Sequence, residues 1–290
     1  MAGVDFVGLA LAVVEDGVIN RARGEIERRF ADRPLVRARL LHGLGATSEG
    51  VGLDSLAREF FRAAAALRRA AAGPDATETI ESLRALSNNL RNTLQFEEAE
   101  TVAEESLAAA RRRPDLPAKL AIEIKHNYAM ILRNRGRKEE GVRLSAAALA
   151  EAREKLGDES ETTCLLRVAA GVDAYQDGFY ETALREFREV LDAQKRSDAF
   201  GPGNIANTQG WLAIVLDKVG SRDEAIAAFR DVLAINRAFF GDAHPKTLAS
   251  VNNMGWMLLQ RGALDEAERL LNEALEGRLK TCGQDHQHTI

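Results

Sequence analysis

The chain has 290 residues, a formal net charge of −5, 46% hydrophobic residues and 29% charged residues. That is apolar enough for a core, so this is not a disordered chain, and the acidic balance leaves no global basic field to hold nucleic acid or an anionic membrane. Aromatics are 6% while alanine is abundant, an inventory for close-packed helices and not for a β-sandwich.

The N-terminus, Met1 to Asp5, lacks the basic region of a signal peptide. The apolar run Val7–Val14 is short and is followed by Glu15 and Asp16, so it reads as a packing helix. No stretch approaches 18 apolar residues, and no membrane span is expected. Cys164 and Cys282 are far apart with no C-x-x-C, which fits a reducing compartment and argues against a disulfide scaffold or zinc module. The expected location is cytoplasmic. Residues 1–34 are expected to form an N-terminal cap, with one or two helices over 3–30.

From residue 35 the sequence repeats every 42 residues. Stepping back from Ala267 gives Ala225, Ala183, Gly141, Ala99 and Ala57, all small. A second column is Gly262, Gly220, Gly178, Gly136, Leu94 and Gly52. A third is Gly255, Ala213, Gly171, Ala129, Ser87 and Gly45. A fourth is Gly283, Gly241, Gly157 and Gly73, with Ala199 and Asp115 as substitutions. Small residues let two helices cross closely, and glycine suits a left-handed helix end. Between these landmarks the apolar spacing is helical, as at Leu258, Leu270, Leu271, Ala274 and Leu275. Ser221-x-x-Glu224 reads as a capping box, and His244-Pro245 places proline in a first helical turn.

Each unit is therefore a helix A, a turn and a helix B. Helix A is expected at about 36–51 in the first unit and 245–261 in the last. Helix B is expected at about 54–71 and 265–281. The predicted fold is all-α, a right-handed α-solenoid of about six units: 35–76, 77–118, 119–160, 161–202, 203–244 and 245–286.

These residues resemble the tetratricopeptide repeat family. Leu44-Gly45 matches its helix A, and Ala57–Phe61, Ala183–Phe187 and Ala225–Phe229 match its Ala-x-x-x-Phe in helix B. The usual unit has 34 residues and ends in proline; here the proline is missing and each unit is eight residues longer. Gly241-Asp242-Ala243-His244-Pro245-Lys246-Thr247, followed by Asn252-Asn253-Met254-Gly255, resembles the kinesin-light-chain type. Gly283 to Thr289 begins another copy. Residues Glu27 to Val36, leading into Leu44-Gly45, resemble the approach to repeat arrays that follow bacterial serine/threonine kinase domains, although no kinase sequence is present. The alanine and arginine content also suits a bacterial source of high GC content.

Motifs for chemistry are weak. Gly201-Pro202-Gly203-Asn204-Ile205-Ala206 matches G-x-G-x-x-A, but a dinucleotide site needs a preceding strand, and the motif falls in an inter-repeat turn. Cys282, His286 and His288 have metal-ligand chemistry, yet His286 is one period from His244 and the repeat already explains it. His42 and His126 lie two periods apart on helix A. Arg111-Arg112-Arg113-Pro114 is a basic run at a helix end, where it suits the dipole. No carboxylate pair, P-loop or H-E-x-x-H is present. No enzyme, cofactor or metal is expected.

The resemblance implies that helix A lines the concave side. Its groove positions then read Arg84, Asn88, Arg91 and Asn92, followed by His126, Asn127, Arg133 and Asn134. Further along they read Tyr175, Gln176, Trp211, Asp217, Asn252, Asn253 and Trp256. Asparagine can hold a bound backbone through donor and acceptor, arginine forks suit carboxylates, and tryptophan supplies contact area. Arg84, Asn88 and Asn127 resemble part of the family's carboxylate clamp, but Leu165 and Ala169 stand where its further basic residues belong.

The expected function is a non-catalytic protein–protein interaction scaffold that binds a peptide or protein segment, acidic or mixed, in this groove. The alternatives are a regulatory module or fragment of a larger, kinase-linked signalling protein, or a structural spacer. An exposed C-terminal edge at Leu270, Leu271, Leu275 or Leu279 raises the expectation of self-association.

Overall fold

The structure is a computed structural model and describes residues 15–282. A short π-helical turn, Glu15–Ile19, leads into α1 (Asn20–Arg29). Three helix pairs follow: α2 (Pro34–Gly50) with α3 (Asp54–Ala72), α4 (Thr77–Asn92) with α5 (Phe96–Arg111), and α6 (Ala118–Asn134) with α7 (Lys138–Leu156). Three more are α8 (Glu161–Gln176) with α9 (Tyr180–Arg196), α10 (Pro202–Lys218) with α11 (Arg222–Phe240), and α12 (Pro245–Arg261) with α13 (Leu264–Cys282). The described residues contain no strand. They divide into an N-terminal unit ending at Gly157 and a C-terminal unit beginning at Asp158.

The packing reason for the small columns is visible in both units. Ala57, Ala99, Ala183, Ala225 and Ala267 are each 0% exposed, as are Ala129 and Ala213. A Cβ on Gly45 would lie 2.7 Å from the Phe61 ring, and one on Gly171 would lie 2.8 Å from the Phe187 ring. Helix A must be bare there because helix B presses an aromatic ring against it.

The A–B turn is one device used six times. The N–H groups of Leu53, Gln95, Arg137, Phe179, Ser221 and Ala263 donate to the carbonyls of Ser48, Leu90, Leu132, Ala174, Leu216 and Leu258 at 2.8–3.0 Å. The residue before each donor has positive φ, and this is the six-to-one bond of a glycine-terminated helix end. This turn corrects the capping-box expectation at Ser221. Its N–H is spent on Leu216, its ψ is 56° and its side chain makes no cap bond. The helix starts that do carry a side-chain cap are Ser160, which accepts from the Thr163 N–H, and His244, which accepts from the Lys246 N–H ahead of Pro245.

Leu94 breaks the glycine column yet keeps the turn, at φ 61°. Its side chain is 73% exposed, so it gains little packing for that backbone. A left-handed L-residue costs roughly 1–2 kcal/mol. Leu94→Gly is therefore expected to stabilise the N-terminal unit by about 1 kcal/mol, read as an upward shift of its thermal midpoint.

Helix B faces carry a parallel regularity. Arg62, Arg69, Arg188, Arg230 and Arg237 pair with Glu98, Glu105, Glu224, Glu266 and Glu273, each 36 residues on. These side chains are solvent-exposed in large part, so they set register more than they stabilise. At the C-terminal end Leu270 is buried, while Leu275 and Leu279 are exposed.

Candidate binding site on the helix A faces

In the N-terminal unit the 42-residue step superposes two polar columns. One is His42, Arg84 and His126, and the other is Glu49, Arg91 and Arg133. Arg91 Nη2 donates to Asn88 Oδ1 at 2.9 Å, and Arg91 Nε donates to Asn127 Oδ1 at 3.4 Å. Asn127 is buried and its Nδ2 donates to Ser87 Oγ at 2.7 Å. Arg84 Nε lies 3.5 Å from Glu123 Oε2. The partial clamp of Arg84, Asn88 and Asn127 is thus bonded to neighbours within the array, and Asn127 acts on Arg91. Arg133 Nη1 lies 3.9 Å from Met130 Sδ. Asn92 and Asn134 are exposed at the ends of α4 and α6.

The groove histidines are held neutral. Ser82 Oγ accepts from Arg68 Nη1 at 2.7 Å and lies 3.2 Å from His42 Nδ1. Ser82 Oγ thus links the buried Arg68 guanidinium to the His42 ring. Burial, followed by the charges of Arg68 and Arg84, pushes His42 down from 6.5 to about 4. Burial, followed by Arg91 and Arg133, does the same to His126, to about 4. The His126 Nδ1 is buried without a partner. Burial also pushes the Arg91 guanidinium below its usual range, with Glu49 opposing.

The C-terminal unit is different in kind. A cavity of about 510 Å³ opens on its helix A side, lined by Leu165 of α8, Asn207, Gly210 and Trp211 of α10, and Lys246 and Asn253 of α12. Buried Phe229 and Gln194 also line it. Gly210 holds the column position of His42, Arg84 and His126. A Cβ there would meet no atom within 4 Å. A glycine inside a helix costs about 0.5–1 kcal/mol against alanine. Unlike Gly45 and Gly171, it returns no close packing; it leaves space open.

The aromatic expectations divide. Tyr175 and Trp211 are half-buried and pack on one another at 6.2 Å, and Trp211 stacks on Phe187 at 6.4 Å. Both pack on the edge of the core, and Trp211 also lines the cavity. Trp256 is 53% exposed, Asn253 is exposed and Asn252 is half-buried. Gly210, Gln194, Glu49 and Glu123 stand among these candidate residues, and pattern reading missed them. The column offered a signal for Gly210, because the long polar side chains of the N-terminal unit give way to Val168 and then to a bare glycine.

The remaining motifs have structural places. Gly201 is the N-cap of α10 in the G-x-G-x-x-A segment, and no strand precedes it among the described residues. Arg112 grips both Asp75 oxygens at 3.0 Å, and Arg113 pairs with Asp115 at 2.7 Å, so the basic run is tied down. His286 and His288 lie outside the described residues, as does the Cys282 side chain. Among the described residues no group of His, Cys, Asp and Glu could hold a metal, and no helix is long and apolar enough to cross a membrane.

Residues 204–280 match the tetratricopeptide repeat family. No curated protein matches the chain by sequence. Among solved structures, BtubC (BKLC) from P. vanneervenii is similar at TM-score 0.61 and 18% identity, over 92% of this chain and 91% of that one. A Podospora anserina putative kinesin light chain of nearly identical TPR-like repeats is similar at TM-score 0.56 and 20% identity, over 72% and 98%. The Rap conjugation gene regulator of plasmid pLS20, in complex with the Phr* peptide, is similar at TM-score 0.62 and 16% identity, over 87% and 78%. The family match covers residues 204–280, and the described residues share the all-helical, helix-pair α-solenoid fold of these structures.

Proposed function

We propose that the chain is a protein-interaction scaffold, with no chemistry of its own, that holds a peptide or protein segment on its helix A faces. The observation that carries this reading is the open cavity over Gly210. A helix interior that gives up stability to leave a cavity unfilled fits close approach of a ligand. The apolar wall at Leu165 and Trp211 suits a side chain, and the amides of Asn207 and Asn253 at the rim suit a bound backbone. In the N-terminal unit, taken by itself, Arg91 and Arg133 supply cations for acidic residues of a bound segment. The Rap regulator bound to the Phr* peptide is a similar fold with a peptide in place, which supports the reading by analogy.

Selection of a displayed random-peptide library on the full chain tests this. Enriched peptides are expected, and Gly210→Leu should weaken them by about tenfold or more by filling the cavity. Arg91→Glu with Arg133→Glu should weaken the acidic members and spare neutral ones. Failure to enrich any peptide, or affinities unmoved by both variants, would contradict the assignment.

A further inference from the structure

We infer that the helix A face around Arg91 and His126 is an oxyanion site built for a phosphate monoester, so that the partner segment is recognised in a phosphorylated state. This rests on the peptide-scaffold reading and names the ligand chemistry of its N-terminal face.

Arg91 is a partly buried cation whose hydrogen-bond partners are amide oxygens, not carboxylates: Asn88 and Asn127. Burying a cation without a paired anion is costly, so such an arrangement fits an anion that comes and goes. The two amides do something specific. Asn127 is fixed by Ser87, and together with Asn88 it takes two of the five guanidinium N–H groups. The fork is oriented before any ligand arrives, and three N–H groups remain.

His126 directly precedes Asn127 on α6, within reach of the Arg91 charge. Its Nδ1 is buried with no partner, and Arg91 and Arg133 both act on its charge. A carboxylate has two oxygens and one charge, and the guanidinium alone satisfies it. A phosphate monoester has three free oxygens and close to two charges. It can take the guanidinium pair and also draw a proton onto His126, whose imidazolium then donates the third bond. The acidic groups near this face are Glu49, which accepts from Asn89 Nδ2 at 3.3 Å, and Glu123, which faces Arg84. Neither is bonded to Arg91, so neither occupies the fork.

The test equilibrates the full chain with three degenerate peptide libraries whose central residue is fixed as phosphoserine, glutamate or serine. The phosphoserine library should bind about tenfold or more tighter than the serine library, and several-fold tighter than the glutamate library. Arg91→Gln should reduce phosphoserine binding to the serine level. Arg91→Lys, which keeps the charge and loses the fork, should fall between. Both variants should keep the thermal midpoint, and should keep their binding of neutral peptides selected through the Gly210 cavity, which certifies the fold. Equal binding of the phosphoserine and glutamate libraries would overturn the inference, as would a phosphoserine preference that survives Arg91→Gln. If none of the three libraries binds while Gly210-dependent peptides still do, this inference falls and the scaffold reading stands. If those peptides are also absent, both fall.

Discussion

Replacing Phe187 by alanine is expected to destabilise the C-terminal unit by about 3–5 kcal/mol. The ring is 0% exposed, lies against the bare backbone of Gly171 and stacks on Trp211 at 6.4 Å. Its removal leaves a void between a helix A and a helix B that cannot close, because Gly171 and Ala183 already hold those helices at minimum spacing. The loss should be felt across the neighbouring pair, since each repeat is stabilised by the next. Both tryptophans, Trp211 and Trp256, belong to this unit, so their fluorescence reports its unfolding selectively. Urea titration should show the fluorescence transition at much lower denaturant. A loss below about 1 kcal/mol would mean that the A–B contact is not the core described here.

The second large effect is a loss of stability on mild acidification of the N-terminal unit. His42 and His126 are held near 4 in the folded chain, against 6.5 as the ordinary value. Folded values below the unfolded ones mean that the unfolded chain takes up protons first. The stabilising contribution is therefore complete above about pH 6.5 and declines as pH falls toward 4. By pH 5 the loss is on the order of 1–2 kcal/mol for each ring, after allowance for their partial contact with solvent. The interval from pH 7 to pH 5 lies above the ordinary carboxylate range, which isolates the histidines. Helical circular dichroism in urea at pH 7 and pH 5 should show it. The double variant His42→Gln with His126→Gln should flatten the dependence, and an unchanged slope in that variant would contradict this origin.

The architecture was legible because its determinants are single residues at fixed spacing. Small residues at 57, 99, 183, 225 and 267 mark helix crossings, and glycines at 52, 136, 178, 220 and 262 mark turns of positive φ. Leu94 shows the limit of that signal: the surrounding repeat imposes the turn on a residue that disfavours it. The Ser221 capping box failed for a related reason. The motif describes a free helix start, whereas Ser221 is already bonded to the preceding helix through Leu216.

The proposed binding face was legible only as a set of columns. That helix A presents Arg84, Arg91, His126 and Arg133 together follows from the period. That Asn127 is spent on Ser87 and Arg91, and that Tyr175 and Trp211 are half-buried against the core, depends on side-chain packing the period does not carry. Gly210 is the converse case. Its meaning lies in the space above it, and the same residue type at Gly171 means the opposite.

The central claim is that a peptide is held on helix A and not on helix B. A photo-crosslinking amino acid placed at Asn207 or Asn253, and separately at Arg188 or Arg230, would test it most directly with a library-selected peptide. Asn207 and Asn253 line the cavity, while Arg188 and Arg230 stand on the exposed faces of α9 and α11. Crosslinks confined to positions 207 and 253 are the predicted result. Crosslinks at positions 188 and 230, with none at 207 and 253, would place the ligand on the helix B surface and contradict the account.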